Sequence, residues 1–109
     1  MNTGYESSAC RRSYIRFTYD PQHRPALRVA DERFDIIDIS ESGIRFDNSA
    51  QRPLAPTFRA RIALLTGGTI DITADVQWQQ NGEVGISLAD AIPAAVIREE
   101  QRRAILQDM

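Results

Sequence analysis

Phe58-Arg59-Ala60-Arg61-Ile62-Ala63-Leu64 leads through Thr66-Gly67-Gly68-Thr69 into Ile70-Asp71-Ile72-Thr73-Ala74-Asp75-Val76-Gln77-Trp78. Apolar side chains recur at every second position on both sides of the glycine pair, and polar or charged ones fill the positions between. A repeat of two is the signature of a strand with one face buried and one wet. Two such runs joined by a short glycine-containing turn read as a long β-hairpin. Arg59 and Arg61 on one strand can face Asp71 and Asp75 on the other, and opposite charges across a hairpin attract modestly.

The same period extends outward from this hairpin. Downstream, Asn81-Gly82 is a second hairpin signal, and Val84, Ile86 and Leu88 supply the next strand. Upstream, Leu27 and Val29 alternate with Arg28, a strand is expected from Phe34 to Ile39, and a short one from Ile44 to Phe46. Asp47 to Pro56, with Asn48, Ser49 and Pro53, is a surface loop. Phe17-Thr18-Tyr19 forms a first strand that Pro21 and Pro25 close off. From Pro93 the period changes: proline suits the first helical turn, Asp90 is an upstream cap, and Ile97, Ala104 and Ile105 share one face. The chain therefore reads as all-β dominated: a small six-stranded antiparallel β-barrel with a C-terminal α-helix, the barrel closure removing exposed strand edges. Residues 1–10 are a flexible lead-in, 11–92 the barrel with an N-terminal arginine arm, and 93–109 the helix.

Composition narrows the function classes. A chain of 109 residues makes one domain, able to bury about 60–70% of its unfolded surface. No apolar run approaches the roughly 18 residues of a membrane span, and the polar first ten residues lack the core of a signal peptide, so a cytoplasmic location and no membrane insertion are expected. One cysteine, Cys10, and one histidine, His23, cannot build an N/S metal site, and no nucleophile–base pair is recognisable. Catalysis, metals and cofactors are thus not expected. All thirteen basic residues are arginine, the side chain suited to planar bidentate contacts with base edges and phosphates. The net charge of −2 counts against bulk nucleic-acid binding. Yet between Cys10 and Ala30 five arginines meet one acid, a patch better matched to a small anion than to a long polyanion.

Two short patterns carry the chemistry. Arg11-Arg12-x-x-x-Arg16 is a basic arm tethered to the first strand, and Asp38-x-Ser40-x-x-Gly43 reads as a polar turn with Gly43 as its pivot. Either pattern alone is a common surface feature. Together they offer guanidinium groups above a carboxylate, a hydroxyl and a close backbone approach, a set suited to a guanine nucleotide. A guanidinium donates twice to the O6/N7 edge of guanine, and a carboxylate accepts from the opposite edge.

With its order and spacing, Asp38 standing twenty-two positions after Arg16, this pair resembles the two signature motifs of the PilZ domain family, bacterial receptors for the second messenger cyclic di-GMP. Val76-Gln77-Trp78 and Asn81 to Leu88 are similar to that family's closing hairpin, with Leu88 where phenylalanine is frequent. The resemblance implies that Arg12 and Arg16 hold guanine faces and phosphates, and that Arg11 favours an intercalated ligand dimer. It further implies that Asp38 and Ser40 contact the base from the barrel exterior, Gly43 permits close approach, and Trp78 is part of a stacking wall. The alternation of Trp78 with Ile72 and Val76 suits the core equally well. A downstream protein partner is implied too. The competing readings are a nucleotide-independent interaction module using the helix face, and a single-stranded nucleic-acid-binding barrel using Arg59 and Arg61.

Overall fold

The computed structural model describes residues 16–107. Seven strands precede one helix: β1 (Arg16–Thr18), β2 (Ala26–Val29), β3 (Glu32–Ser40), β4 (Gly43–Asp47), β5 (Thr57–Ala63), β6 (Thr69–Gln80), β7 (Glu83–Leu88) and α1 (Ala94–Gln107). All pairings are antiparallel, in the order β1–β3–β2–β5–β6–β7–β4, and β4 returns to β3. Six strands thus form a closed barrel, and β1 is an extra strand lying along β3 beyond the end of β2.

The hairpin read from the alternation is the β5–β6 pair, in register from Thr57 opposite Asp75 to Ala63 opposite Thr69. Its inward residues Ala60, Ile62, Ile72 and Ala74 join Leu27, Phe34, Ile36, Ile39, Ile44, Phe46, Val84 and Ile86 in one core. The Phe34 and Phe46 rings meet at 5.1 Å. Each large side chain taken from water in this way contributes roughly 1.5–3 kcal/mol. The Asn81-Gly82 turn has φ of 55° and 76°, the left-handed pair that a two-residue hairpin needs.

Two irregularities interrupt the ladders. On β3 the partners of β4 step from Ile36 to Asp38, leaving Ile37 as an extra residue. On β6 the partners of β7 step from Val76 to Trp78, leaving Gln77 extra. A bulge of this kind shifts the alternation by one, so the residues beyond it exchange faces. Ile36 and Ile39 both point inward while Asp38 and Ser40 point out, and Val76 packs on the core while Trp78 does not.

The helix begins directly after Pro93, whose carbonyl accepts from the Val96 N–H at 3.0 Å. Its buried residues are Ile97, Glu100 and Ala104. Ile105, expected on the same face, is 55% exposed. At about 100° per residue, Ala104 falls within some 20° of Ile97, whereas Ile105 lies about 80° away on the side turned from the barrel. Glu100 takes its place in the contact. Its carboxylate accepts from the Tyr19 hydroxyl at 2.7 Å and from the backbone N–H groups of Leu65 at 3.0 Å and Thr66 at 2.9 Å. One fully buried anion thereby ties α1 to the residue after β1 and to the β5–β6 turn. Ile92 and Ile97 complete the same core that the barrel fills.

Burial and the neighbouring Glu100 carboxylate push the Tyr19 phenol well above its usual range. The unfolded chain would ionise this tyrosine near pH 10 and the folded one would not, so its contribution to stability is complete below pH 10 and lost as pH rises further. With no lysine in the chain, the effect is easy to isolate. The fall in melting temperature between pH 9 and 11 should be smaller in Tyr19→Phe than in the parent. Glu100→Ala, which strands a phenol and two amide donors, should cost about 2–4 kcal/mol in denaturant unfolding.

Candidate functional site

One row of residues crosses five strands on the outer wall. Thr18 on β1 is opposite Asp38 on β3, Asp38 opposite Arg45 on β4, Arg45 opposite Gly85 on β7, and Gly85 opposite Trp78 on β6. Cross-strand partners share a face, so this row brings side chains distant in sequence side by side. Both bulges serve it: one turns Asp38 outward, the other Trp78.

Asp38 sits at the centre, and its side chain is only 4% exposed. Its Oδ1 accepts from Arg16 Nη1 at 2.9 Å. Its Oδ2 accepts from Arg45 Nε at 2.9 Å and lies 2.8 Å from Arg45 Nη2 as an ion pair, and Arg45 Nη1 reaches Glu83 Oε1 at 3.2 Å. The sequence reading placed Asp38 in the open, ready to accept from a base edge. It lies on the outer side as expected, but two guanidinium groups cover it and occupy both oxygens. Its role in this state is to hold Arg16 and Arg45 in place by charge-assisted hydrogen bonds.

Ser40 is also buried, and its hydroxyl is not presented to solvent. Its Oγ accepts from the Gly43 N–H at 3.1 Å and donates to the Gly43 carbonyl at 3.2 Å, closing the turn. The turn itself is shorter than expected, because Asp38 to Ser40 belong to β3 and only Glu41 and Ser42 lie between the strands. Nor is Gly43 a left-handed pivot. A Cβ there would stand 2.9 Å from the Ile86 carbonyl oxygen, so the position demands glycine because β7 passes so close.

Trp78 is 42% exposed and packs over Gly85, where any Cβ would fall inside the indole. The alternation placed it equally well in the core; the bulge at Gln77 decides for the outside. Arg16, Gly43, Ile44, Arg45, Gln77, Trp78, Gly85 and Ile86 line a shallow groove of about 100 Å³. Arg16, Gly43 and Trp78, chosen from sequence, therefore meet at one place with Asp38 beneath them. Arg11 and Arg12 lie outside the described residues. Arg45 was missed, although its position between inward Ile44 and Phe46 marks it as an outward cation two residues past Gly43.

The groove offers an exposed aromatic face, two guanidinium groups and a glycine floor, a set suited to a planar, anionic ligand. No group of histidine, cysteine and carboxylate side chains among the described residues could hold a metal. No helix among them is long and apolar enough to cross a membrane. A larger depression of about 470 Å³ at the Asn81-Gly82 end of the barrel lacks an aromatic wall, and its one arginine, Arg52, is paired with Glu32.

A closed six-stranded barrel with one extra strand and a C-terminal helix defines the fold class. Residues 11–107 match the family model of the PilZ domain, and the chain belongs to that family. Its fold is shared with the crystal structure of an uncharacterized Legionella protein, with a TM-score of 0.60 at 8% identity over 86% of this chain and 95% of the other. No curated protein matches the chain.

The two arginines of the clamp should differ in weight. Arg16 is 62% exposed and makes one contact with Asp38, whereas Arg45 is 35% exposed and makes two. Arg45→Ala leaves a buried carboxylate mostly unpaired and should cost about 2 kcal/mol, while Arg16→Ala should cost less than about 1 kcal/mol. Urea unfolding of the ligand-free variants measures the difference, and equal costs would contradict the shared clamp.

Proposed function

We propose that the protein is a receptor for cyclic di-GMP that acts as an adaptor and has no catalytic step of its own. The observation that carries this reading is the convergence of Arg16, Asp38, Gly43 and Trp78, far apart in sequence, on one groove of a PilZ barrel. In this reading a guanine stacks on the Trp78 indole, and Arg16 turns from Asp38 toward the O6/N7 edge of a base or toward a phosphate. The exposed single bond between Arg16 and Asp38 is the contact a ligand can most easily exchange. Arg45, paired with both Asp38 and Glu83, holds Asp38 in place while that exchange takes place. Arg12 and Arg11 add guanidinium groups from the arm, the latter favouring a ligand dimer. A ligand held by both the arm and the barrel changes the surface offered to a downstream protein. The site of action is the cytoplasm.

Calorimetric titration with cyclic di-GMP tests this reading. Saturable binding is expected at physiological salt, weakened at least about tenfold by Arg12→Ala and by Arg16→Ala. Asp38→Ala should weaken binding as well, through loss of the order it imposes on both arginines. Absence of heat with the folded parent protein would sink the proposal.

A further inference from the structure

The wall across the barrel from the groove carries a second charged row. In the ring of six strands β2 and β5 stand opposite β7 and β4. On their outer face Arg28 is directly opposite Arg33 of β3 on one side and Arg61 of β5 on the other, and Arg61 is opposite Asp71 of β6. Neighbouring strands lie about 5 Å apart, so three guanidinium stems are set side by side. Arg59 projects from the same face two residues before Arg61.

Like charges directly opposite one another weaken a sheet, and this arrangement has two such pairs in succession. It is only partly relieved. Arg33 Nη1 bonds Asp35 Oδ1 at 2.8 Å, and Arg61 Nε bonds Asp71 Oδ1 at 2.7 Å. Arg28 and Arg59 have no ion-pair partner among the described residues. They flank an open depression of about 390 Å³ that Ala30, Ala60, Arg61 and Asp71 also line. Arg28, Arg33, Arg59 and Arg61 stand against Asp35, Asp71 and Asp75 on this face, a locally positive balance on a chain whose net charge is −2.

The kind of ligand follows from what the face lacks. The outward residues flanking the depression, Arg28, Arg33, Arg59, Arg61, Asp71 and Thr73, include no aromatic ring on which a base could stack, and stacking is what holds single-stranded nucleic acid on a barrel. Guanidinium forks pair well with carboxylates, and Asp35 and Asp71 already do so at the two ends of the row. An extended strand of acidic residues would place further carboxylates between them, beside Arg28 and Arg59. We propose that the outer face of β2 and β5 is a docking surface for an acidic segment of a partner protein. Because it lies on the opposite wall, it does not depend on the nucleotide reading of the groove and can be occupied at the same time.

The test uses the full chain and a fluorescein-labelled oligo-glutamate peptide, followed by anisotropy at low salt, about 10 mM, where screening is weak. Saturable binding is expected, and it should fall roughly tenfold or more when Arg28 and Arg59 are both changed to Glu. A milder pair, Arg28→Thr with Arg59→Thr, should also weaken binding, and Arg28→Thr alone should raise the melting temperature by relieving the like-charge row. Trp78→Ala, which alters only the groove, should leave peptide affinity unchanged. Unchanged affinity in the folded threonine variant would overturn the proposal, as would tighter binding of an oligothymidylate of the same length, which assigns the face to nucleic acid.

Discussion

A strand that keeps strict alternation gives each residue to one face of the barrel for its whole length. The site of this protein depends on breaking that constraint twice. One extra residue at Ile37 and one at Gln77 let β3 and β6 fill the core over most of their length and then turn Asp38 and Trp78 outward. Only with both shifts do Thr18, Asp38, Arg45, Gly85 and Trp78 fall into one cross-strand row. Glycine at 43 and 85 is part of the same construction, since a side chain at either would meet β7 or the indole.

The electrostatics of the row follow from its order. Asp38 is a buried carboxylate between two guanidinium groups, so its desolvation is offset by hydrogen bonds from Arg16 Nη1 and Arg45 Nε and by the ion-pair contact of Arg45 Nη2. That arrangement gives the carboxylate a different task from reading a base directly. It sets the positions of Arg16 and Arg45, one labile and one fixed. The buried Glu100 works similarly at the other end of β1, holding Tyr19 and the β5–β6 turn to the helix. β1, which carries the labile arginine, is thus anchored to the barrel through Asp38 and to the helix through Tyr19.

Much of this was legible before any coordinates. The β5–β6 hairpin, the Asn81-Gly82 turn, the helix start at Pro93 and the meeting of Arg16 with Asp38 all follow from period, turn chemistry and motif spacing. The bulges do not, because an extra residue leaves local composition unchanged and appears only when two strands are paired. For that reason Trp78 stayed balanced between core and groove, and Asp38 to Gly43 looked like one turn rather than a strand end, two turn residues and a strand start. Glu100 escaped because a carboxylate among Arg98, Glu99, Arg102 and Arg103 looks like one more solvated charge, and only its three donors from elsewhere in the chain distinguish it. Arg45 is legible as an outward cation because Ile44 and Phe46 flank it, yet it belongs to neither of the two motifs.

The central claim is that the ligand groove lies on the outer wall against Trp78. Trp78 is the one tryptophan in the chain, so its emission reports on that wall alone. Titration of the protein with cyclic di-GMP, read by tryptophan fluorescence, should give saturable quenching as a base stacks on the indole. Binding seen by calorimetry with no change in tryptophan emission would place the ligand elsewhere and contradict the account.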